Sequence, residues 1–149
     1  MNVGILGGTG PAGRGVAFRL AEAGIRVTVG SRVAERAAHI VAELEEKVPS
    51  VAAAVQAALP DSLVAAAFHH LPASEMENLD SGLEADVLVC SDHPAATTAT
   101  VGLVEQVRGL RPLDAGSLNQ AAAIESFTAV CITLNLRHKA HSTLRLAGI

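Results

Sequence analysis

Near the start of the chain, Gly8-Thr9-Gly10-Pro11-Ala12-Gly13 fits the spacing G-x-G-x-x-G. The chemistry served by that spacing is the cradling of a dinucleotide pyrophosphate. Gly8 permits a tight turn, Gly10 lets the backbone approach the phosphates, and Gly13 lets the next helix pack close to the preceding strand. The helix then offers free N–H groups and the positive end of its dipole. Pro11 suits its first turn, where a missing N–H costs little. A second group, Ser31, Arg32 and Arg36, lies where a carboxylate would hold the ribose 2′-OH of NAD. No acid stands there. Ser31 can donate a hydrogen bond, and the guanidinium forks suit a 2′-phosphate dianion, so the pattern favours NADP(H). The blander alternatives are a glycine-rich turn that binds nothing and two solvated arginines at a helix start.

Other polar groups make weaker sites. His69-His70 raises the question of a metal, but adjacent residues of a regular strand point to opposite faces and cannot chelate one ion. A hydrogen-bonded histidine at a strand end is the plainer reading, and a site-lining role the second. Asp92-His93 reads as a helix cap rather than a catalytic dyad. Glu75, Glu77, Asp80 and Glu84 read as a solvated acidic loop. Arg137, His138, Lys139, His141 and Arg145 read as a solvated basic face near a helix end, with an anionic ligand as the alternative. Cys90 and Cys131 stand in no CxxC pattern and read as buried, reduced thiols. No residue is assigned a catalytic or metal-binding role.

The elements that must position these groups follow from the apolar pattern. Met1–Leu6 is an apolar run ended by glycines, hence a strand. Pro11–Ala23 is a helix with Val16, Ala17, Leu20 and Ala21 at helical spacing, stopped by Gly24. Arg26–Val29 is a second strand and Val33–Lys47 a second helix. After the break at Val48–Ser50, Val51–Leu59 is a short Ala-rich helix stopped by Pro60. Leu63–Phe68 reads as a strand, Leu71–Glu84 as irregular, and Ala85–Ser91 as a strand. A helix over Ala95–Val107, a strand over Leu110–Ala115 and a long helix from Leu118 to His138 complete the chain.

Composition narrows the class. Half of the 149 residues are hydrophobic, yet there are three Phe and no Tyr or Trp. The core must therefore come from Ala, Val, Leu and Ile, which suits parallel strands covered by helices. The net charge of −4, with no basic stripe and no aromatic platform, argues against nucleic acid. No apolar run reaches the roughly 18 residues of a membrane span, and no basic segment precedes the first strand. The expectation is a cytoplasmic protein of one domain, residues 1–149.

At this point the residues carry a resemblance. The opening, NVGILGGTGPAGRGVAFRLAEAGIRVTVGSR, resembles the NADPH-dependent coenzyme F420 reductases, or deazaflavin:NADP oxidoreductases. Leu63–Ala73 (LVAAAFHHLPA), Ala85–Asp92, Gly109–Leu118 (GLRPLDAGSL) and the helix around Ile124-Glu125-Ser126-Phe127-Thr128 resemble the same family in the same order. The resemblance implies that NADP is held at Thr9, Gly10, Pro11, Ala12, Ser31, Arg32 and Arg36. It implies that the deazaflavin lies against the nicotinamide near His70, Leu71, Pro72 and Ala73. The implied reaction is reversible hydride transfer between NADP(H) and coenzyme F420. Such a reaction needs no nucleophile or acid–base pair, because the coenzymes carry the chemistry and the protein supplies proximity and orientation.

The chain departs from the family at one place. Members continue after the second helix with further strands, whereas here Lys47-Val48-Pro49 passes directly to Ser50-Val51-Ala52. In the doubly wound order the fourth strand lies beside the first and walls the cofactor crevice. Leu63–Phe68 is expected to take that place. The fold class expected is α/β: a Rossmann-like, mostly parallel sheet of about five strands with helices on both faces. A non-catalytic NADP-binding module is the alternative function. The apolar helix over Ala121–Leu136 implies a homodimer, since a helix apolar on several faces needs cover.

Overall fold

The computed structural model describes residues 2–6, 10–30, 50–80 and 82–149. The helix expected over Val33–Lys47 lies outside the described residues, as do Gly8, Thr9, Ser31, Arg32 and Arg36. Two β-α-β units organise the rest. In the first, β1 (Asn2–Leu6) leads to α1 (Pro11–Glu22) and then β2 (Arg26–Gly30). The strands are parallel, with Asn2 opposite Arg26 and Leu6 opposite Gly30. Pro11 occupies the first turn of α1, as expected. The helix stops at Gly24, whose φ of 78° is open to glycine. There the Gly24 N–H bonds Ala21 O at 2.9 Å and the Ile25 N–H bonds Leu20 O at 3.0 Å. This is the paired closure that satisfies the last helical carbonyls.

After the first unit come α2 (Val51–Ala58) and α3 (Ala73–Glu77). Ser50 caps α2, its Oγ accepting from the Ala53 N–H at 3.0 Å. The second unit is β3 (Ala85–Val89), α4 (Pro94–Val104) and β4 (Leu110–Asp114), again with parallel strands. A 3₁₀ turn, Leu118–Gln120, then leads into α5 (Ala121–His138), where one continuous helix was expected. The packed core gathers on β3. Ala85, Val87 and Val89 are buried with Leu20, Met76, Leu83 and Val104, while Val3, Ile5, Val16 and Val27 of the first unit pack against that cluster from its edge.

The fold class is α/β with parallel strands and helices, as expected, but the sheet is not continuous. Among the described residues it consists of two parallel pairs, β1 with β2 and β3 with β4. Leu63–Phe68 is not a strand beside β1. It makes one antiparallel bridge, Ala66 to Cys90, at the end of β3. Side chains explain why no ladder extends from it. Gln56 Oε1 accepts from the Val64 N–H at 3.3 Å, and Ser91 Oγ donates to Val64 O at 2.6 Å. These bonds occupy backbone groups that a neighbouring strand would need. Phe68, at φ 69°, then turns the chain out of extended geometry.

Two other expectations change. The Leu71–Glu84 stretch contains α3, because Arg19 of α1 donates to Glu75 O at 2.6 Å, Met76 O at 3.1 Å and Asn78 O at 3.1 Å. Its guanidinium satisfies the carbonyls at that helix end. Asp92 does not cap α4. The N-cap is His93, whose side chain makes no capping bond, and Asp92 Oδ1 instead accepts from the Leu118 N–H at 3.0 Å, tying the 3₁₀ turn to the end of β3.

Candidate functional site

The start of α1 is built to receive an anion. Gly10 is extended (φ −79°, ψ 163°) and caps the helix with no side-chain bond, and no acidic residue stands in the first turn. Among the described residues no side chain caps the N–H groups there, and free helical N–H groups suit phosphate oxygens. Ala12 and Gly13 face a cavity of about 620 Å³. Its other walls are Val3, Gly4 and Ile5 of β1, the inner side of α2 with Ala52 and Val55, and the segment from Ser62 to His69. Among the described residues β1 pairs with β2 alone, so this cavity runs along an edge without a strand partner.

Of the cofactor-binding residues expected, Gly10, Pro11, Ala12 and Gly13 are thus placed at the start of α1. Gly8, Thr9, Ser31, Arg32 and Arg36 lie outside the described residues. The structure adds Gly15, which the motif does not include. A Cβ there would stand 2.5 Å from the Cβ of Met76, so α1 and α3 approach closely at that glycine.

The four residues expected against the second coenzyme come together. His70, Leu71, Pro72 and Ala73 line a second cavity of about 340 Å³, along with Ser74, Thr128, Cys131, Asn135 and His141. His69 lines both cavities. The two rings meet edge-on, with centroids 5.4 Å apart and planes at 79°. Because Phe68 turns the chain, the strand argument about His69-His70 does not apply, yet no metal cluster forms among the described residues.

Burial and hydrogen bonds set the state of these rings. Burial pushes the pKa of both below the ordinary histidine value, and for His69 the neighbouring His70 adds to the effect. Both are neutral at pH 7. His70 Nε2 lies 2.9 Å from the backbone oxygen of Asp86. A carbonyl only accepts, so Nε2 carries the proton and Nδ1 presents a lone pair. That Nδ1 is buried without a partner, as is Nε2 of His69. Buried polar atoms of this kind are normally satisfied, so an unpaired one in a cavity wall marks a place for a ligand or water. Cys131, expected to be buried, is half-exposed at the same cavity, whereas Cys90 is fully buried.

Comparisons with known proteins identify the family. Residues 2–110 match the sequence family described as NADP oxidoreductase, coenzyme F420-dependent. The chain belongs to this family. Its fold class and its likeness to deazaflavin:NADP oxidoreductases are therefore as expected from the residues. An F420-dependent NADP reductase of Methanocaldococcus jannaschii is 35% identical over 94 residues, which is 63% of this chain but only 42% of that protein. One of Methanothermobacter marburgensis is 29% identical across all of this chain and 97% of its own length. That alignment runs to 221 positions against the 149 residues here, so the relative carries a large block with no counterpart in this family member. The crystal structure of an Arthrobacter sp. FB24 protein, named as a candidate F420-dependent NADP reductase, superposes with a TM-score of 0.72. It has 18% identity and covers 97% of this chain and 98% of the other, a likeness of fold.

Proposed function

We propose that this protein transfers hydride between NADP(H) and coenzyme F420, exchanging it between the nicotinamide and deazaflavin rings. The observation that carries the reading is the adjacency of two cavities sharing His69, one reaching the start of α1 and the other lined by His70–Ala73. Direct hydride transfer requires the reacting atoms to be held at roughly 3–3.5 Å, so the two coenzymes need neighbouring sites. Family membership supports the two coenzymes and the oxidoreductase class. Gly8, Thr9, Gly10, Pro11, Ala12 and Gly13 would hold the pyrophosphate, and Ser31, Arg32 and Arg36 the 2′-phosphate. His70, Leu71, Pro72 and Ala73 would form the deazaflavin wall. The chain's own contribution is binding, orientation and exclusion of water.

Two finer readings accompany it. Phe127, Val130 and Leu134 form an exposed apolar row along α5 at helical spacing, which supports a homodimer. Two unpaired thiols support a reducing, cytoplasmic setting. No described helix is long and apolar enough to cross a membrane.

The experiment is calorimetric titration of NADPH and NADH into the native protein and Arg32→Ala, followed by deazaflavin reduction with NADPH. Native protein is expected to prefer NADPH, and the substitution to weaken NADPH binding about 10- to 100-fold, the worth of one charge-assisted contact. NADPH binding without turnover would favour the non-catalytic module, a reading to which β1 lends weight, since among the described residues it pairs with β2 alone. A folded sample that binds neither nucleotide would end the proposal.

A further inference from the structure

The chain after α5 folds back onto β3 around one buried carboxylate. Lys139 adopts left-handed geometry (φ 50°, ψ 47°), and Asn135 holds the turn through the Ala140 N–H on its carbonyl at 3.1 Å and the Ser142 N–H on its Oδ1 at 2.8 Å. The returning segment meets Asp86, which is fully buried on β3. The Asp86 N–H donates to Leu144 O at 2.8 Å, and the Leu146 N–H donates to Asp86 Oδ2 at 2.6 Å. Arg111 of β4 grips both carboxylate oxygens at 2.7 Å each and also donates to Leu146 O and Ile149 O. Arg145 of the returning segment stands 3.5 Å from Oδ1. A bidentate guanidinium on a carboxylate is among the strongest and most directional contacts available.

This cluster does more than fasten a loose end. The backbone oxygen of the same Asp86 holds His70, and the fastened segment carries His141, whose Nδ1 shares a 2.9 Å hydrogen bond with Ser74 Oγ. His70, Ser74 and His141 all line the smaller cavity.

We propose that residues 139–149 are a strap latched on Asp86, and that the latch makes Asp86 a positioning residue for the outer wall of the deazaflavin cavity. The proposal rests on the reading of that cavity given above. Asp86 touches neither coenzyme. It acts through His70 on one side and through His141 on the other, so loosening it opens the cavity without altering the pyrophosphate site.

Cys131 reports the opening independently of any coenzyme, because it lines the same cavity while Cys90 is sealed in the core. The variants are Asp86→Asn, which keeps the shape and removes the charge, and Leu146→Pro, which deletes the one strap N–H bonded to the carboxylate. Labelling of Cys131 by an aromatic disulfide reagent is expected to accelerate about tenfold in both, as for a local opening, with Cys90 unlabelled. The KM for coenzyme F420 is expected to rise about tenfold with kcat and the NADPH KM little changed, the pattern of lost ground-state binding. If Asp86→Asn fails to fold, Leu146→Pro carries the test. Unchanged labelling in a folded variant overturns the latch. Faster labelling with an unchanged F420 KM, in a protein that turns over, overturns its role in the wall. A native protein whose Cys131 is not protected by coenzyme F420 and which shows no turnover contradicts the coenzyme reading alone. The labelling rates then still decide whether the strap closes the cavity.

Discussion

The two β-α-β units share a plan and differ in tightness. Each runs strand, helix beginning with proline, glycine at positive φ, parallel strand. In the first, Gly4 is exposed and Val3 and Ile5 are half-buried, leaving one edge of β1 along a cavity. In the second, four of the five β3 residues are buried, the bridge to Ala66 stands just beyond its end, and the segment after α5 bonds to Asp86 near its start. A parallel strand covered on both faces is a scaffold. Among the described residues β1 is left without a second strand partner, beside a helix start with no acidic residue in its first turn. The same motif thus differs between the units in how far its strands are covered.

The glycines just ahead of β2 and β4 give the largest test of this difference. Gly24 and Gly109 both precede the second strand of their unit and both have positive φ, 78° and 86°. A Cβ at Gly24 meets nothing within 4 Å, whereas at Gly109 it would fall 1.9 Å from the carbonyl oxygen of Leu83. Gly24→Ala should cost only the conformational term, about 1 kcal/mol. Gly109→Ala adds a backbone clash and should cost roughly 3 kcal/mol or more. Urea unfolding of the two variants measures both. Equal losses would show that the units are packed alike.

The expectations made from the sequence follow this division. β1, α1, β2, β3, α4 and β4 were legible because burial in each imposes a simple period and glycine or proline marks its ends. Of the glycine motif, the structure places Gly10 to Gly13 at the start of α1, where the spacing put them. Leu63–Phe68 was not, because Gln56 and Ser91, distant in sequence, decide what its backbone bonds to. The α3 helix was hidden in an acidic stretch because its capping group, Arg19, comes from α1. Asp86 was not singled out: its partners Arg111 and Arg145 stand on later segments, and no local pattern links them. Residues 70–73 entered through family resemblance, and the structure supplies what the residues alone did not, a cavity and two unpaired ring nitrogens.

A smaller effect probes the seam between the units. Gly15 brings α1 against α3, with its missing Cβ 2.5 Å from Met76 Cβ and 2.9 Å from the Met76 carbonyl carbon. Gly15→Ala must push α3 away and should cost about 1–3 kcal/mol as overpacking. Because α3 follows directly on His70–Pro72, the shift should also weaken deazaflavin binding while sparing NADPH. Calorimetry with each coenzyme separates the two. Equal weakening of both would mean that the seam moves as one body and the units are not independent.

The smallest expected effect is a pH slope, and it should come from Asp86 of β3 and the two histidines packed beside that strand. The Arg111 side chain, chiefly through its hydrogen bonds, holds the Asp86 carboxyl down to about 2 against the opposing effect of burial. A depressed carboxylate means that the unfolded chain binds the proton first. The stability Asp86 contributes is therefore full above about pH 4 and drains as pH falls toward 2. His69 and His70 are depressed by burial, so the unfolded chain also takes up protons that the folded one refuses, beginning below about pH 6.5. Urea midpoints should thus be flat from pH 8 to 7, decline gently below 6.5, and decline again below 4. His70→Gln should flatten the upper limb and leave the lower one; Asp86→Asn should do the reverse. If neither substitution changes its limb, the slope arises elsewhere, and the buried polar cluster around β3 is not what distinguishes the second unit from the first.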